Sequence, residues 1–435
     1  MSVLRDLPHL GGIANDNEPE RIKKLVLLLS DILRERKEKF SQVGVGNITS
    51  YRDATNERIP DIYLVVDNFG ALIKAYPDLD VFFISLTSSG ANYGVYLIAT
   101  ATAANAVPVK IGQNIKNALA LQMIDKNDFT YIVGKVSGQL PNIMGRGYAK
   151  GNPPLEFQTA LPAAGTDDKE VSDNVRKLAK HMQTVWTGDL PAMIPEMPET
   201  IPYGSIKTKE LALGLSLDKV QPVTYEYTKQ HYLLISGIEQ SGKSNLLQVT
   251  ARQIKEKLGG KLYVFNIKGS GLSRLLDASD VYYTSASDID ACLEGLRPEL
   301  QRRHAEKQSG KTDGYEPIIL AIDDYTLFFK AVSNDTIQRL LAVVKIGRGL
   351  DLYLIVAGDA YELAGFSSKG EALTLSLAKS KQAVILGGCM NDHAAISITA
   401  SYNQKSVPVR EHEGIFVTNS SYTIFKPIEI KGGEE

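Results

Sequence analysis

Eight consecutive residues, Gly237, Ile238, Glu239, Gln240, Ser241, Gly242, Lys243 and Ser244, read G-x-x-x-x-G-K-S. The glycines let a short loop turn so that successive N–H groups face one anion. An apolar run, His231-Tyr-Leu-Leu-Ile-Ser236, precedes the loop, and a helical pattern begins at Asn245. That is the strand, loop and helix order this spacing requires, and a helix start adds its positive dipole end. The chemistry is the gripping of a triphosphate. The amides of residues 237–245 cradle the phosphates, Lys243 reaches the β- and γ-phosphates, and Ser244 ligates magnesium. ATP with Mg2+ is the expected ligand.

Further residues fit the same chemistry. Pro317-Ile-Ile-Leu-Ala-Ile is an apolar strand ending in Asp323 and Asp324. Asp323 is placed to hold magnesium, directly or through water. Asp324 is placed to polarise an attacking water, with a shorter side chain than the glutamate usual there. Arg348, in Ile346-Gly-Arg-Gly, stands before the next strand and could meet the γ-phosphate charge on a neighbouring subunit. The six histidines show no metal-ligand spacing, and the segment Cys389-Met-Asn-Asp-His393 reads as an ordinary loop.

These residues need a scaffold, and the sequence holds it twice. Ile62-Tyr-Leu-Val-Val-Asp67 matches Ile318-Ile-Leu-Ala-Ile-Asp323, and Val95-Tyr-Leu-Ile-Ala matches Leu352-Tyr-Leu-Ile-Val. The aspartates lie 256 residues apart and the later strands 257. The helical runs 22–40 and 288–307, and the short segments 3–7 and 272–276, precede them in the same order. Two homologous modules are expected, the first lacking a phosphate loop because Met1 matches a position near Lys268. The boundaries are 1–162 for the later part of the first module, 163–199 for a helix and proline-rich linker, and 200–435 for a complete second module. The linker helix should bury Val171, Val175, Leu178, Met182 and Val185 on one face. Alternating apolar strands and helices give an α/β fold with a mainly parallel sheet covered by helices, a P-loop NTPase. In the first module Asn68 replaces Asp324 and Ala91 replaces Arg348, so that site should hydrolyse poorly. Gly145-Arg-Gly147 reads as a tight turn before the strand at Leu155.

Composition agrees with a globular protein of more than one domain: 435 residues, 43% hydrophobic, 23% charged, net charge -2. That charge gives no general attraction to nucleic acid or anionic lipid. The two distant cysteines make no disulfide framework, which fits a reducing cytoplasm. No apolar run is long enough to span a bilayer, so a membrane link is expected only through upstream sequence.

The tandem P-loop modules, the Leu7-Pro-His9 start, the Asp67-Asn-Phe strand end, and Gly145-Arg-Gly-Tyr followed by Pro-Pro-Leu-Glu-Phe-Gln-Thr-Ala-Leu-Pro162 resemble the FtsK/SpoIIIE-type ATPases of type VII secretion systems (EssC/EccC). The resemblance covers nearly the whole chain, as the later part of a second ATPase module plus the third. It implies a cytoplasmic segment of a membrane-anchored coupling ATPase working with other modules and subunits. Its substrates would be small helical secreted proteins of the WXG type, docked through a C-terminal signal segment. Arg348 matches the position from which the first, active module of that family offers an arginine finger. Two other functions are compatible with the residues: a non-hydrolysing, nucleotide-bound docking module, and a DNA translocase of the same superfamily, which the absence of a basic excess disfavours.

Overall fold

The fold is a computed structural model. It describes residues 2–123, 126–136, 138, 140–269, 272, 275, 279–310, 314–364, 371–378 and 382–430. The matching segment 272–276 therefore lies partly outside the described residues. The chain forms two compact units, Met1–Pro195 and Glu196–Glu435.

In the first unit, β1 (Ile62–Val66) and β2 (Val95–Ala99) pair in parallel, with Ile62 opposite Val95. One sheet face packs with Phe69, Phe83 and Leu86 from helices Phe69–Ala75 and Asp80–Ser89, and with Ile22 and Leu29 from helix Pro19–Val43. On the other face Tyr63 and Tyr96 stack with ring centroids 5.2 Å apart, and Tyr63, Val65 and Ile98 are exposed. A separate antiparallel sheet holds β3 (Leu119–Ala120), β4 (Arg146–Ala149) and β5 (Leu155–Gln158). Gly145 turns into β4 with φ +76°.

Helix Asp168–Val185 starts where Asp167 accepts the Glu170 N–H at 2.8 Å, an N-cap the sequence supports. Its buried stripe is narrower than the periodicity suggests. Val175 and Ala179 are buried, whereas Leu178 is 46% and Val185 58% exposed. The helix packs chiefly on the short turn Ser2–Leu4, which covers an i, i+4 row and not a full face. The proline-rich stretch beyond it docks within the same unit. Ile194 is buried and its N–H donates to the Gly11 carbonyl.

The second unit is built on a ten-stranded sheet ordered β10-β9-β11-β12-β8-β13-β14-β15-β6-β7. The strands are β6 (Leu211–Ser216), β7 (Pro222–Tyr225), β8 (Tyr232–Gly237), β9 (Lys261–Phe265), β10 (Val281–Tyr283), β11 (Ile318–Ile322), β12 (Leu352–Asp359), β13 (Gln382–Leu386), β14 (Gly414–Thr418) and β15 (Ser421–Pro427). From β10 to β13 all neighbours are parallel. From β13 to β7 they are antiparallel. Every residue of β8 and β11 is buried, as expected of strands covered on both faces. Helix Lys243–Leu258 covers one face, packing Leu246, Leu247, Ala251 and Ile254 on Ile319, Tyr353 and Ile355. Helices Ala286–Gln308 and Asn334–Gly347 cover the other, packing Leu293, Leu300, Leu340 and Val344 on Leu320 and Leu354.

The repeat is visible in detail. β11 and β12 pair as β1 and β2 do, with Ile318 opposite Leu352. A buried arginine from the preceding helix holds the turn before the later strand in each unit. Arg36 donates to the Tyr93 carbonyl at 2.6 Å, and Arg303 to the Leu350 carbonyl at 3.1 Å.

Candidate nucleotide site of the second unit

β8 ends on Gly237, opposite Asp359 of β12 on one side and Leu386 of β13 on the other. The loop after it leaves the sheet at the carboxyl ends of parallel strands, where α/β folds bind ligands. A β-carbon on Gly237 would lie 2.5 Å from Ser241 Oγ and 2.8 Å from the Leu386 carbonyl oxygen, so only glycine fits. Gln240 (φ +56°) and Gly242 (φ +91°) adopt left-handed conformations, the backbone that turns neighbouring N–H groups toward one side. Helix Lys243–Leu258 starts directly after Gly242. Loop and helix start together have the form of an anion cradle.

Inside it, Ser241 Oγ donates to the Ile238 carbonyl at 2.8 Å, and Lys243 Nζ donates to the same oxygen. Burial lowers the Lys243 pKa, against the opposing pull of Asp359, Asp323, Asp324 and Glu239. An ammonium resting on a backbone carbonyl exchanges it readily for a phosphate oxygen, a stronger charge-assisted partner. Ser244 Oγ donates to both Asp323 carboxylate oxygens, at 3.1 and 2.9 Å. Asp323 is buried, and burial pushes its carboxyl pKa up while the Ser244 hydroxyl pulls it down. A hydroxyl and a carboxylate already in contact suit a cation such as Mg2+, which takes few protein oxygens and keeps waters. The residues present thus fit both a triphosphate and magnesium.

The structure adds detail at three residues that the sequence singled out. Asp324 follows Asp323 but sits left-handed (φ +49°) as the N-cap of helix Tyr325–Ala331, its Oδ1 accepting the Leu327 N–H at 3.1 Å. A carboxylate turned onto its own helix start is poorly disposed to orient water. The Asn245 side chain does not face the cradle. It donates to the Ile428 carbonyl at 2.8 Å and accepts the Ile430 N–H at 3.0 Å, fastening the segment after β15. Arg348 lies at the far end of β12 from Asp359, roughly 23 Å of strand away. Its guanidinium sits 5.5 Å from the Tyr232 ring centroid, at the start of β8, so it does not reach the cradle of its own unit.

Two groups were missed. Asp359 ends β12 beside Gly237 and is the strongest opposing charge on Lys243. The signal was available, since a polar residue closing an apolar strand next to the phosphate loop must point near it. His393 is buried against Ser236 of β8; the sequence offered only its place in a segment dismissed as a loop.

The corresponding place in the first unit is built differently. Asp67 accepts a hydrogen bond from Thr100 Oγ1 at 2.6 Å, and Thr100 in turn accepts the Asn68 N–H at 2.9 Å. Asn68 is left-handed like Asp324 but makes no side-chain cap. Ala91 lies in the turn Gly90–Tyr93.

Comparison with known proteins places this geometry. Residues 1–143 match the FtsK/SpoIIIE family. The chain is 26% identical, over 88% of its length, to the ESX secretion system protein YukB of Bacillus subtilis (strain 168), and spans 26% of that protein. EssC (ATPases 2 and 3) from Geobacillus thermodenitrificans superimposes with a TM-score of 0.85 at 22% identity, covering 99% of this chain and 83% of that one. Thermomonospora curvata EccC (ATPases 2 and 3), solved in complex with a signal sequence peptide, gives 0.61 at 20% identity, covering 99% of this chain and 80% of that one. These structural likenesses establish the fold, a P-loop α/β module following a second, related one. Over most of its length the chain is thus similar to secretion-system ATPases named YukB, EssC and EccC, and its first third matches the FtsK/SpoIIIE family.

Proposed function

We propose that this chain is an ATP-binding ATPase segment of a type VII secretion coupling protein, and that residues 237–244 with Asp323 hold its Mg-ATP. The observation that carries the reading is the left-handed cradle after β8 with Ser244 already bonded to Asp323. Magnesium, when bound, neutralises phosphate charge; the cradle amides and Lys243 bind and orient the phosphates. The solved complex of the related EccC with a signal sequence peptide supports docking of secreted proteins, here small helical WXG-type chains. Among the described residues no helix is long and apolar enough to cross a membrane. In this reading the chain lies on the cytoplasmic side and is anchored through other parts of the protein.

A second reading has its own observation. The cap made by Asp324, with Asn68 and Ala91 in the first unit, favours a nucleotide-bound dock that hydrolyses little. Arg348 would then contribute only across an interface, to a neighbouring copy. The test is Mg-ATP affinity and phosphate release for the wild type and Lys243→Ala. Micromolar-range binding, lost in the variant, is expected, with turnover far below the enzyme median of ~10 per second. Binding that survives in Lys243→Ala refutes the site. Brisk hydrolysis by the monomer refutes the dock.

A further inference from the structure

The wall of the cradle away from Asp323 is formed by the turn after β13. The Ile238 N–H donates to the Leu386 carbonyl at 3.2 Å, which ties the first loop residue to the end of β13. Gly387 and Gly388 follow, both left-handed at φ +66°. A β-carbon on Gly387 would come within 2.7 Å of Ile238 Cγ1, so the turn lies directly against the phosphate loop. The chain then makes a short 3-10 turn, Met390–Asp392, closed by the Cys389 N–H donating to Asp392 at 2.7 Å.

His393 returns from that turn into the core with 1% of its surface exposed. Its Nε2 is 3.0 Å from the Gly387 carbonyl and its Nδ1 is 2.7 Å from Ser236 Oγ. A carbonyl only accepts, so Nε2 carries the proton, and Nδ1 accepts from the serine hydroxyl. Ser236 is itself buried and precedes Gly237 in β8. One imidazole thus joins the strand that feeds the phosphate loop to the turn that abuts it. The Ile238 peptide sits between these two anchors, and its carbonyl is the resting partner of Lys243 and Ser241.

We propose that His393 is a positioning residue of the phosphate cradle, holding the Gly387–Gly388 turn against Ile238 through its paired bonds to Ser236 and Gly387. The proposal rests on Mg-ATP binding at residues 237–244. His393→Phe keeps a flat aromatic ring, slightly larger, and removes both bonds. His393→Gln restores a donor at the Nε2 position, and Ser236→Ala removes the serine bond alone. The measurements are Mg-ATP affinity, by titration calorimetry well below the melting temperature, and the melting temperature of each nucleotide-free variant. His393→Phe should weaken binding about tenfold, the scale of leaving buried polar partners unmet. His393→Gln should recover part of it, and Ser236→Ala should weaken binding less than His393→Phe. A merely structural histidine would lower the melting temperature of His393→Phe and leave its affinity within about twofold of wild type, overturning the proposal. A wild type that fails to bind Mg-ATP refutes the nucleotide site itself, and this inference with it.

Discussion

Replacing Asp324 separates its two possible roles. In the structure its Oδ1 caps helix Tyr325–Ala331 from a left-handed backbone. Asparagine accepts the same N–H and tolerates that conformation, so Asp324→Asn should cost less than ~0.5 kcal/mol. Asp324→Ala loses the cap, about 1 kcal/mol, and puts alanine in a left-handed position, about 1 kcal/mol more. A loss of about 2 kcal/mol in a unit of this size lowers the melting temperature by roughly 4–8 °C. Differential scanning calorimetry reads this, and phosphate release on the same samples reads the chemistry. If Asp324 is chiefly a cap, Asp324→Asn melts with the wild type and its turnover stays within about threefold. A general base would instead cost about 100-fold or more in turnover with the melting temperature unchanged. That outcome would refute the cap as the reason for slow hydrolysis. An Asn variant melting as low as the Ala variant would refute the capping argument itself.

Asp323 gives a pH signature. Burial raises its carboxyl pKa above the unfolded value, so the folded chain takes the proton more readily. The stability it confers is present at low pH and is lost as pH rises through the folded value. Asp323→Asn should therefore raise the nucleotide-free melting temperature at neutral pH, by a margin that shrinks as pH falls through the carboxylate range. A margin independent of pH contradicts this, and Mg-ATP affinity should drop in the same variant. Arg303→Met and Arg36→Met should each cost about 1–3 kcal/mol by leaving main-chain carbonyls unmet, the buried Leu350 oxygen in one case and the part-buried Tyr93 oxygen in the other. Hydrogen exchange should speed up in the turn before β12 for the first variant and before β2 for the second. Unchanged exchange there speaks against the clamps.

The phosphate loop and its flanking strand were legible because both are local. Four consecutive apolar residues, Tyr232 to Ile235, a glycine that nothing else can replace, and a lysine at fixed spacing need no distant partner to be recognised. Strands β1, β2, β11 and β12 could be read as well, since β1 and β11 lead into aspartates 256 residues apart and β2 matches β12 at an interval of 257. The antiparallel wing was not separable. β15 pairs with β6 from the far end of the module, and no short-range pattern announces that. The over-wide face assigned to helix Asp168–Val185 has a related cause. Periodicity gives the apolar stripe, but the size of the neighbour decides how much is covered, and the turn Ser2–Leu4 is small. Asp324 shows the limit for chemistry. Its place beside Asp323 was evident, but the left-handed backbone that turns its carboxylate onto Leu327 N–H was not. His393 joined the site only through the pairing of β13 with β8, which carries its turn to the loop.

The paired arginine clamps separate the mounting of a loop from what the loop displays. Arg36 and Arg303 grip main-chain oxygens, which every amino acid supplies, so the fixture is indifferent to side chains at the tip. One tip presents alanine and the other arginine on equivalent mounts. A unit of this kind can gain or shed a charged probe by a single substitution without rebuilding its framework. Putting arginine at Ala91, or alanine at Arg348, should leave each loop where it is and change only what it offers to whatever approaches.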